Sequence, residues 1–178
     1  TIGKPVLSTK VKILDMNDNE VETGIAGELA VSGPQVMSGY WNKPEETAKV
    51  MTKEGYFKTG DIAIATEDGY HSIVDRKKDM IIVSGFNVYP NEVEDVLSGH
   101  ELVMECAVVG VADDHSGEAV KAVVVLKDPD QDHDAAKSAI NAYCRTQLTA
   151  YKVPRILEFT PQLPKSTVGK ILRRELRK

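Results

Sequence analysis

Apolar and polar positions divide the chain at a charged run, Asp75-Arg76-Lys77-Lys78-Asp79. Before it, apolar runs are short and punctuated by Gly, Asn and Asp: residues 11–14, the polar turn DMNDNE, then residues 27–33. Such runs are what strands joined by hairpins look like. Residues 61–75 read as two alternating segments around Asp68-Gly69, the strongest short hairpin signal in the chain. One helix is predicted in this part, over 42–51. There Pro44 takes a first-turn position, and Glu45 and Glu46 favour the positive end of a helix dipole.

After the charged run the pattern changes. Residues 80–90 read as a strand, a glycine turn and a second short extended piece. Pro90 opens a helix whose Val93, Val96 and Leu97 fall at helical spacing behind an acidic first turn. Residues 105–111 and 119–127 are continuous β-branched runs and predict buried strands. Residues 134–148 place Ala136, Ile140, Tyr143, Cys144 and Leu148 on roughly one helical face, with Asp134 as the N-cap. A short strand at 155–159 and a terminal helix at 170–176 complete the order β-β-α-β-β-α-β-α over 79–178. The fold class is therefore α+β: a β-rich first part, then a smaller lobe with a short hairpin and a roughly three-stranded sheet with helices.

Composition narrows the class without changing it. A chain of 178 residues, 42% hydrophobic and 28% charged, fits one ordinary domain or two small ones. A net charge of −5 argues against the chain as a whole binding nucleic acid or an anionic membrane, so any basic site is local, and the C-terminal stretch with Lys170, Arg173, Arg174 and Arg177 is where it would lie. Cys106 and Cys144 sit in apolar stretches and form neither a metal pattern nor a disulfide framework; they read as buried thiols of a reducing compartment. With no apolar run of about 18 residues and no signal-type start, the expected location is the cytoplasm. The opening TIGKPVL has no initiator methionine and reads as the middle of a longer chain.

Four stretches carry candidate chemistry. In GYFKTGDIA a tight Thr-Gly-Asp turn presents Asp61, a carboxylate able to accept two hydrogen bonds from a diol such as a ribose, although most Gly-Asp pairs are plain turn residues. The run 75–79 is either a solvated linker, whose exposed pairs contribute about 0–1 kcal/mol, or a hinge in which Arg76 binds a ligand. Asp113, Asp114, His115 and Glu118 lie in a Gly-containing connection, which favours a solvated turn over a metal cluster. PKSTVGKILRREL lacks the GxxxxGK[ST] frame of a phosphate-binding loop; what remains is Lys170 at a glycine-flexed turn before a basic helix.

Taken together and in order, GELAVSGPQVMSGYW, GYFKTGDIA, DRKKDMIIVSGFNVYPNEVED, GEAVKAVVV and PKSTVGKILRREL resemble the acyl-adenylate-forming enzymes, which include acyl-CoA synthetases, luciferases and peptide-synthetase adenylation domains. They are most similar to bacterial long-chain fatty-acid–CoA ligases. The resemblance implies a fatty carboxylate attacking the α-phosphate of ATP, accompanied by Mg2+, to give an acyl-adenylate and pyrophosphate. The thiol of coenzyme A then takes the acyl group and releases AMP. It assigns Asp61 to the ribose hydroxyls, Arg76 to their support and Lys78 to the hinge. Ser84 and Gly85 fall in the turn that approaches coenzyme A. Some relatives carry lysine where Ser84 stands, so that contact is expected through backbone. Lys170 matches the lysine that reaches the carboxylate and α-phosphate. Arg173, Arg174 and Arg177 are either an attractor for coenzyme A phosphates or a solvated face.

The family's Gly/Ser/Thr-rich phosphate loop and its aromatic-Gly-x-Thr-Glu stretch do not occur here. The expectation is therefore the last third of such an enzyme, inactive by itself. Residues 1–75 would end the large ATP- and acyl-binding lobe, 76–79 form the hinge and 80–178 the small mobile lobe, with no metal site in this part. Other acyl- or aryl-CoA ligases, acyl-AMP ligases and a non-catalytic interaction domain of the same fold stand as alternatives. Expected partners are a fatty acid, ATP and coenzyme A and no nucleic acid; peripheral attachment to the inner membrane and oligomerisation stay open.

Overall fold

The structure, a computed structural model, describes residues 1–177, and the chain separates between Lys78 and Asp79 into two units. The first, Thr1–Lys78, is an antiparallel sheet in the order β1 (Lys10–Leu14), β2 (Gly27–Ser32), β3 (Phe57–Ala65), β4 (His71–Arg76). Its core is small: Ile13, Leu29 and Ala63 are buried, with Val11, Val21, Val31 and Ala65 packed around them. The β3–β4 hairpin closes through the Thr66 amide on the Tyr70 carbonyl at 2.8 Å, with Gly69 at φ 83°. A positive φ of this kind suits glycine, which has no Cβ to clash. The helix α1 (Pro44–Val50) is shorter than the 42–51 expected and has Pro44 in its first turn as the pattern predicts, with Glu45 and Glu46 beside it.

The second unit starts with the hairpin β5 (Ile81–Val83) and β6 (Phe86–Val88), then α2 (Pro90–Ser98), β7 (Val103–Asp113), β8 (Gly117–Leu126), α3 (His133–Gln147), β9 (Ile156–Phe159) and α4 (Arg173–Leu176). The hairpin joins the three longer strands in one five-stranded sheet. Along one edge of β8 lie both β5, which pairs at Gly117, and β9, which runs parallel along Lys121–Val124. Cys106, Val108, Val120, Ala122, Val124 and Leu126 face Val93 and Leu97 of α2 and Ala136, Ile140 and Cys144 of α3. On the opposite face Ala107, Val123 and Val125 are covered by Leu163, Ile171 and Leu176. Cover on both faces is why β7 and β8 read as unbroken apolar runs rather than as alternations.

Two local expectations are corrected. The N-cap of α3 is Asp132, not Asp134: its carboxylate accepts the Asp134 and Ala135 amides at 2.9 and 3.2 Å. Asp134 instead adds charge to the first turn. The terminal helix is only α4, because residues 165–171 form a hairpin whose Ile171 must pack on the sheet. Cys106 and Cys144 are both buried and unbridged. Burial pushes the Cys106 thiol up to about 11 and raises that of Cys144 as well. Among the described residues no helix is long and apolar enough to cross a membrane.

Candidate functional site

Asp61 is placed by two irregularities in the first unit. β3 slips against β2: Glu28 faces Ile62 but Ala30 faces Lys58, so Thr59, Gly60 and Asp61 bulge opposite Leu29. Gly60 takes φ 76° there, and the Thr59 hydroxyl ties the bulge to the Leu29 carbonyl at 2.9 Å while accepting the Asp61 amide at 3.2 Å. β4 slips in turn: Ile62 faces Asp75 but Ala63 faces Ile73. Between these slips Asp61 pairs directly with Arg76, and Arg76 Nε stands 2.9 Å from Asp61 Oδ1. Arg76 is exposed, at 60%, and the Asp61 carboxylate is half-buried at 24%, so a ligand in solvent can reach both. An ionised carboxylate has about four lone-pair sites, which leaves capacity for a diol beside the guanidinium.

The end of the same sheet is braced by acids that the motifs did not single out. Glu28 is buried and holds Lys77 Nζ at 2.7 Å, and buried Asp75 accepts the Arg76 amide at 2.7 Å. Lys77 is thus fixed to the sheet, and Lys78, whose side chain is exposed, is the last residue of the unit. Lys77, Lys78 and Asp79 form one 3-10 turn across the boundary.

In the second unit Ser84 and Gly85 are the two loop residues of the β5–β6 hairpin, since Val83 pairs with Phe86. Both have positive φ, 50° and 85°, the signature of a type I′ turn. The turn is tethered from below: the Ser84 amide donates to the Ser116 carbonyl at 2.8 Å, and the Ile82 amide to Glu118 Oε2 at 2.8 Å. Phe86 stacks on Tyr151 with ring centroids 4.9 Å apart. Asp113, in the β7–β8 turn, accepts the Ser116 hydroxyl and amide at 2.7 and 2.8 Å, the His115 amide and Arg155. The Ser116 hydroxyl is the foremost of the contacts that draw the Asp113 carboxyl down to about 2. Asp113 and Glu118 therefore hold backbone, and no group of three or more His, Cys, Asp or Glu among the described residues is placed to hold a metal ion.

Lys170 is exposed on a closed hairpin, not on a loose glycine loop. Lys165 bridges Ile171, the Ser166 amide reaches the Lys170 carbonyl at 2.8 Å, and the Leu172 amide reaches the Pro164 carbonyl at 2.8 Å. The Gly169 amide closes the turn on Ser166 at 2.9 Å, with φ 79°. The following arginines are committed in part. Arg173 forks onto Glu94, and Arg177 meets Asp79 at 3.0 Å. Neither of these is simply a solvated charge. The structure thus brings Asp61 and Arg76 together in the first unit and carries Ser84, Gly85 and Lys170 on the second.

Residues 1–41 match the family model of the AMP-binding enzyme and residues 92–170 that of the AMP-binding enzyme C-terminal domain. A long-chain-fatty-acid–CoA ligase of Salmonella typhimurium is 59% identical over 99% of this chain, and a feruloyl-CoA synthase of an Amycolatopsis species is 47% identical over 99%. The chain spans 31% and 35% of their respective lengths. Among solved structures, ATP-bound MatB of Rhodopseudomonas palustris superposes with a TM-score of 0.88 at 35% identity, over 98% of this chain and 34% of that one. The o-succinylbenzoate CoA synthetase MenE of Bacillus subtilis, in complex with its acyl-adenylate, gives 0.84 at 34% identity, over 99% and 35%. The chain belongs to the AMP-binding enzymes, whose C-terminal domain it carries.

Proposed function

We propose that the chain is the C-terminal portion of an ATP-dependent, AMP-forming long-chain fatty-acid–CoA ligase. The observation that carries this reading is the Asp61–Arg76 pair, held between two strand irregularities and followed at once by the break between the units. A carboxylate braced by a guanidinium is suited to grip the vicinal hydroxyls of a nucleotide ribose and so to anchor ATP through adenylation and AMP through thioester formation.

The first step brings a carboxylate against a phosphate, and repulsion between the two anions is a large part of its barrier. Lys170 supplies a compact positive charge that bridges both groups as the acyl-adenylate forms and pyrophosphate leaves. Its hairpin is hydrogen-bonded shut, so delivery falls to movement of the whole second unit about Lys78 rather than to a swinging loop. Withdrawing Lys170 opens the acyl carbon to the thiol of coenzyme A. The rigid Ser84-Gly85 turn then borders the path of the pantetheine arm. With the Ser84 amide committed to Ser116, contact there runs through the rest of the turn. Magnesium accompanies the ATP phosphates. The phosphate loop, acyl pocket and magnesium site belong to the remainder of the full-length protein, and the isolated chain forms no acyl-CoA. A fatty-acid substrate also makes peripheral attachment to the cytoplasmic face of the inner membrane part of the proposal.

The 47% identity to a feruloyl-CoA synthase favours one second reading, an aryl-CoA ligase. The two are separated by pyrophosphate release from the full-length protein with a long-chain fatty acid, acetate or ferulate. Preference for the long chain supports the first reading, and preference for ferulate overturns it in favour of the second.

A further inference from the structure

Inside the second unit, Lys170 and the start of the unit are joined by one network. Asp79 is the first residue of the unit, and its carboxylate meets Arg177 Nη2 at 3.0 Å and Arg173 Nη1 at 4.0 Å. Arg173 turns its other face to α2. Its Nη2 reaches both oxygens of Glu94 at 2.9 and 2.7 Å and Asn91 Oδ1 at 3.0 Å, and its Nε reaches Glu94 Oε1 at 3.3 Å. Glu94 Oε1 also accepts the Val108 amide at 2.8 Å, so this seat is tied to the middle of β7. Lys170 lies only three residues ahead of Arg173. The intervening Ile171 packs on the sheet and Leu172 closes the hairpin.

We infer that Arg173 is a positioning residue for adenylation: its fork on Glu94, within reach of Asp79, fixes where Lys170 stands relative to the pivot at Lys78. The inference rests on the reading of Lys170 as the adenylating lysine. A bidentate fork sets direction as well as distance, which a lysine in its place cannot do. The pairs involved are largely shielded, with Arg173 24% and Glu94 16% exposed, so salt screens them weakly. When the unit moves as a body about Lys78, Lys170 then arrives at a set place. If the fork is lost, the hairpin keeps its ladder but not its aim.

The test uses the full-length protein and reads two half-reactions separately: pyrophosphate release from ATP and fatty acid, and thioester formation from a preformed acyl-adenylate. Arg173→Met is expected to lower kcat for pyrophosphate release by at least ~10-fold, with KM for ATP and the thioester step within about two-fold of the parent. Arg173→Lys should recover part of the loss. Glu94→Gln keeps an acceptor for the Val108 amide and should show the same split in milder form, and it carries the test if Arg173→Met does not yield folded protein. An unchanged pyrophosphate rate, or equal falls in both half-reactions, overturns the positioning role. Lys170→Ala, measured alongside, separates the failures. If it abolishes pyrophosphate release while the Arg173 and Glu94 variants leave that rate unchanged, the positioning role alone falls. If it leaves pyrophosphate release intact, the reading of Lys170 falls and the positioning role with it.

Discussion

Replacing Gly110 by alanine tests how the hairpin that presents Ser84 and Gly85 is held to the sheet. Gly110 lies in β7, and a Cβ there would sit 2.7 Å from Glu118 Oε1 and 3.1 Å from Ile81 Cγ2. The Glu118 carboxylate crosses over the glycine in order to accept the Ile82 amide through Oε2 at 2.8 Å. Moving it costs a hydrogen bond to a charged group, about 1–2 kcal/mol at this partly exposed site, and crowding fully buried Ile81 adds up to about 1 kcal/mol. Alanine returns about 0.5–1 kcal/mol by restricting the unfolded chain. The net expectation is a loss of about 1–2 kcal/mol, or roughly 4–15 °C in Tm for a unit of this size. The assay is a urea titration of the chain followed on the amide resonances of β8. In the Glu118→Ala background the obstacle is gone, so Gly110→Ala becomes neutral or stabilising, and the double-mutant cycle shows a coupling of about 1 kcal/mol or more. A Gly110→Ala midpoint equal to or above the parent's, or additivity in the cycle, refutes the reasoning.

Two further predictions concern the same unit. Asp113 titrates in the folded chain near 2, below its ordinary 3.8, so its stabilising contribution is complete above about 3.8 and is lost as pH falls toward 2. Carboxyl-carbon NMR should find that midpoint, and Asp113→Asn should flatten the acid limb of the stability curve; a midpoint near 3.8 contradicts the turn geometry. Asp132→Ala should cost about 1 kcal/mol as loss of the α3 N-cap, against a few tenths for Asp134→Ala, both read from urea midpoints. The reverse order would move the cap back to Asp134.

What could be read from sequence follows from how local its cause is. β7 and β8 were legible because cover on both faces leaves an uninterrupted β-branched run, and α2 and α3 because one apolar stripe faces the sheet. The cap of α3 was misplaced because acidic residues recur at 128, 130, 132 and 134, and packing, not composition, decides where the first turn begins. The terminal helix was drawn too long because the 165–171 hairpin depends on Leu163 and Ile171 finding the back of the sheet. Asp61 and Arg76 stood out as separate motifs, but their pairing depends on strand register and two slips. Glu94 was not legible as a partner, and Asp79 only as part of the charged run, since they meet Arg173 and Arg177 across 79 and 98 residues of sequence. Glu118, weighed only as a metal ligand or turn residue, holds the amide of Ile82 in the next strand.

The central claim is that Lys170, exposed on its closed hairpin, serves adenylation and not thioester formation. The most direct measurement compares both half-reactions in the full-length protein carrying Lys170→Ala. The account predicts that pyrophosphate release falls by at least ~100-fold while a preformed acyl-adenylate is still converted to acyl-CoA at close to the parent rate. Pyrophosphate release at the parent rate, or equal loss of both half-reactions, would contradict it.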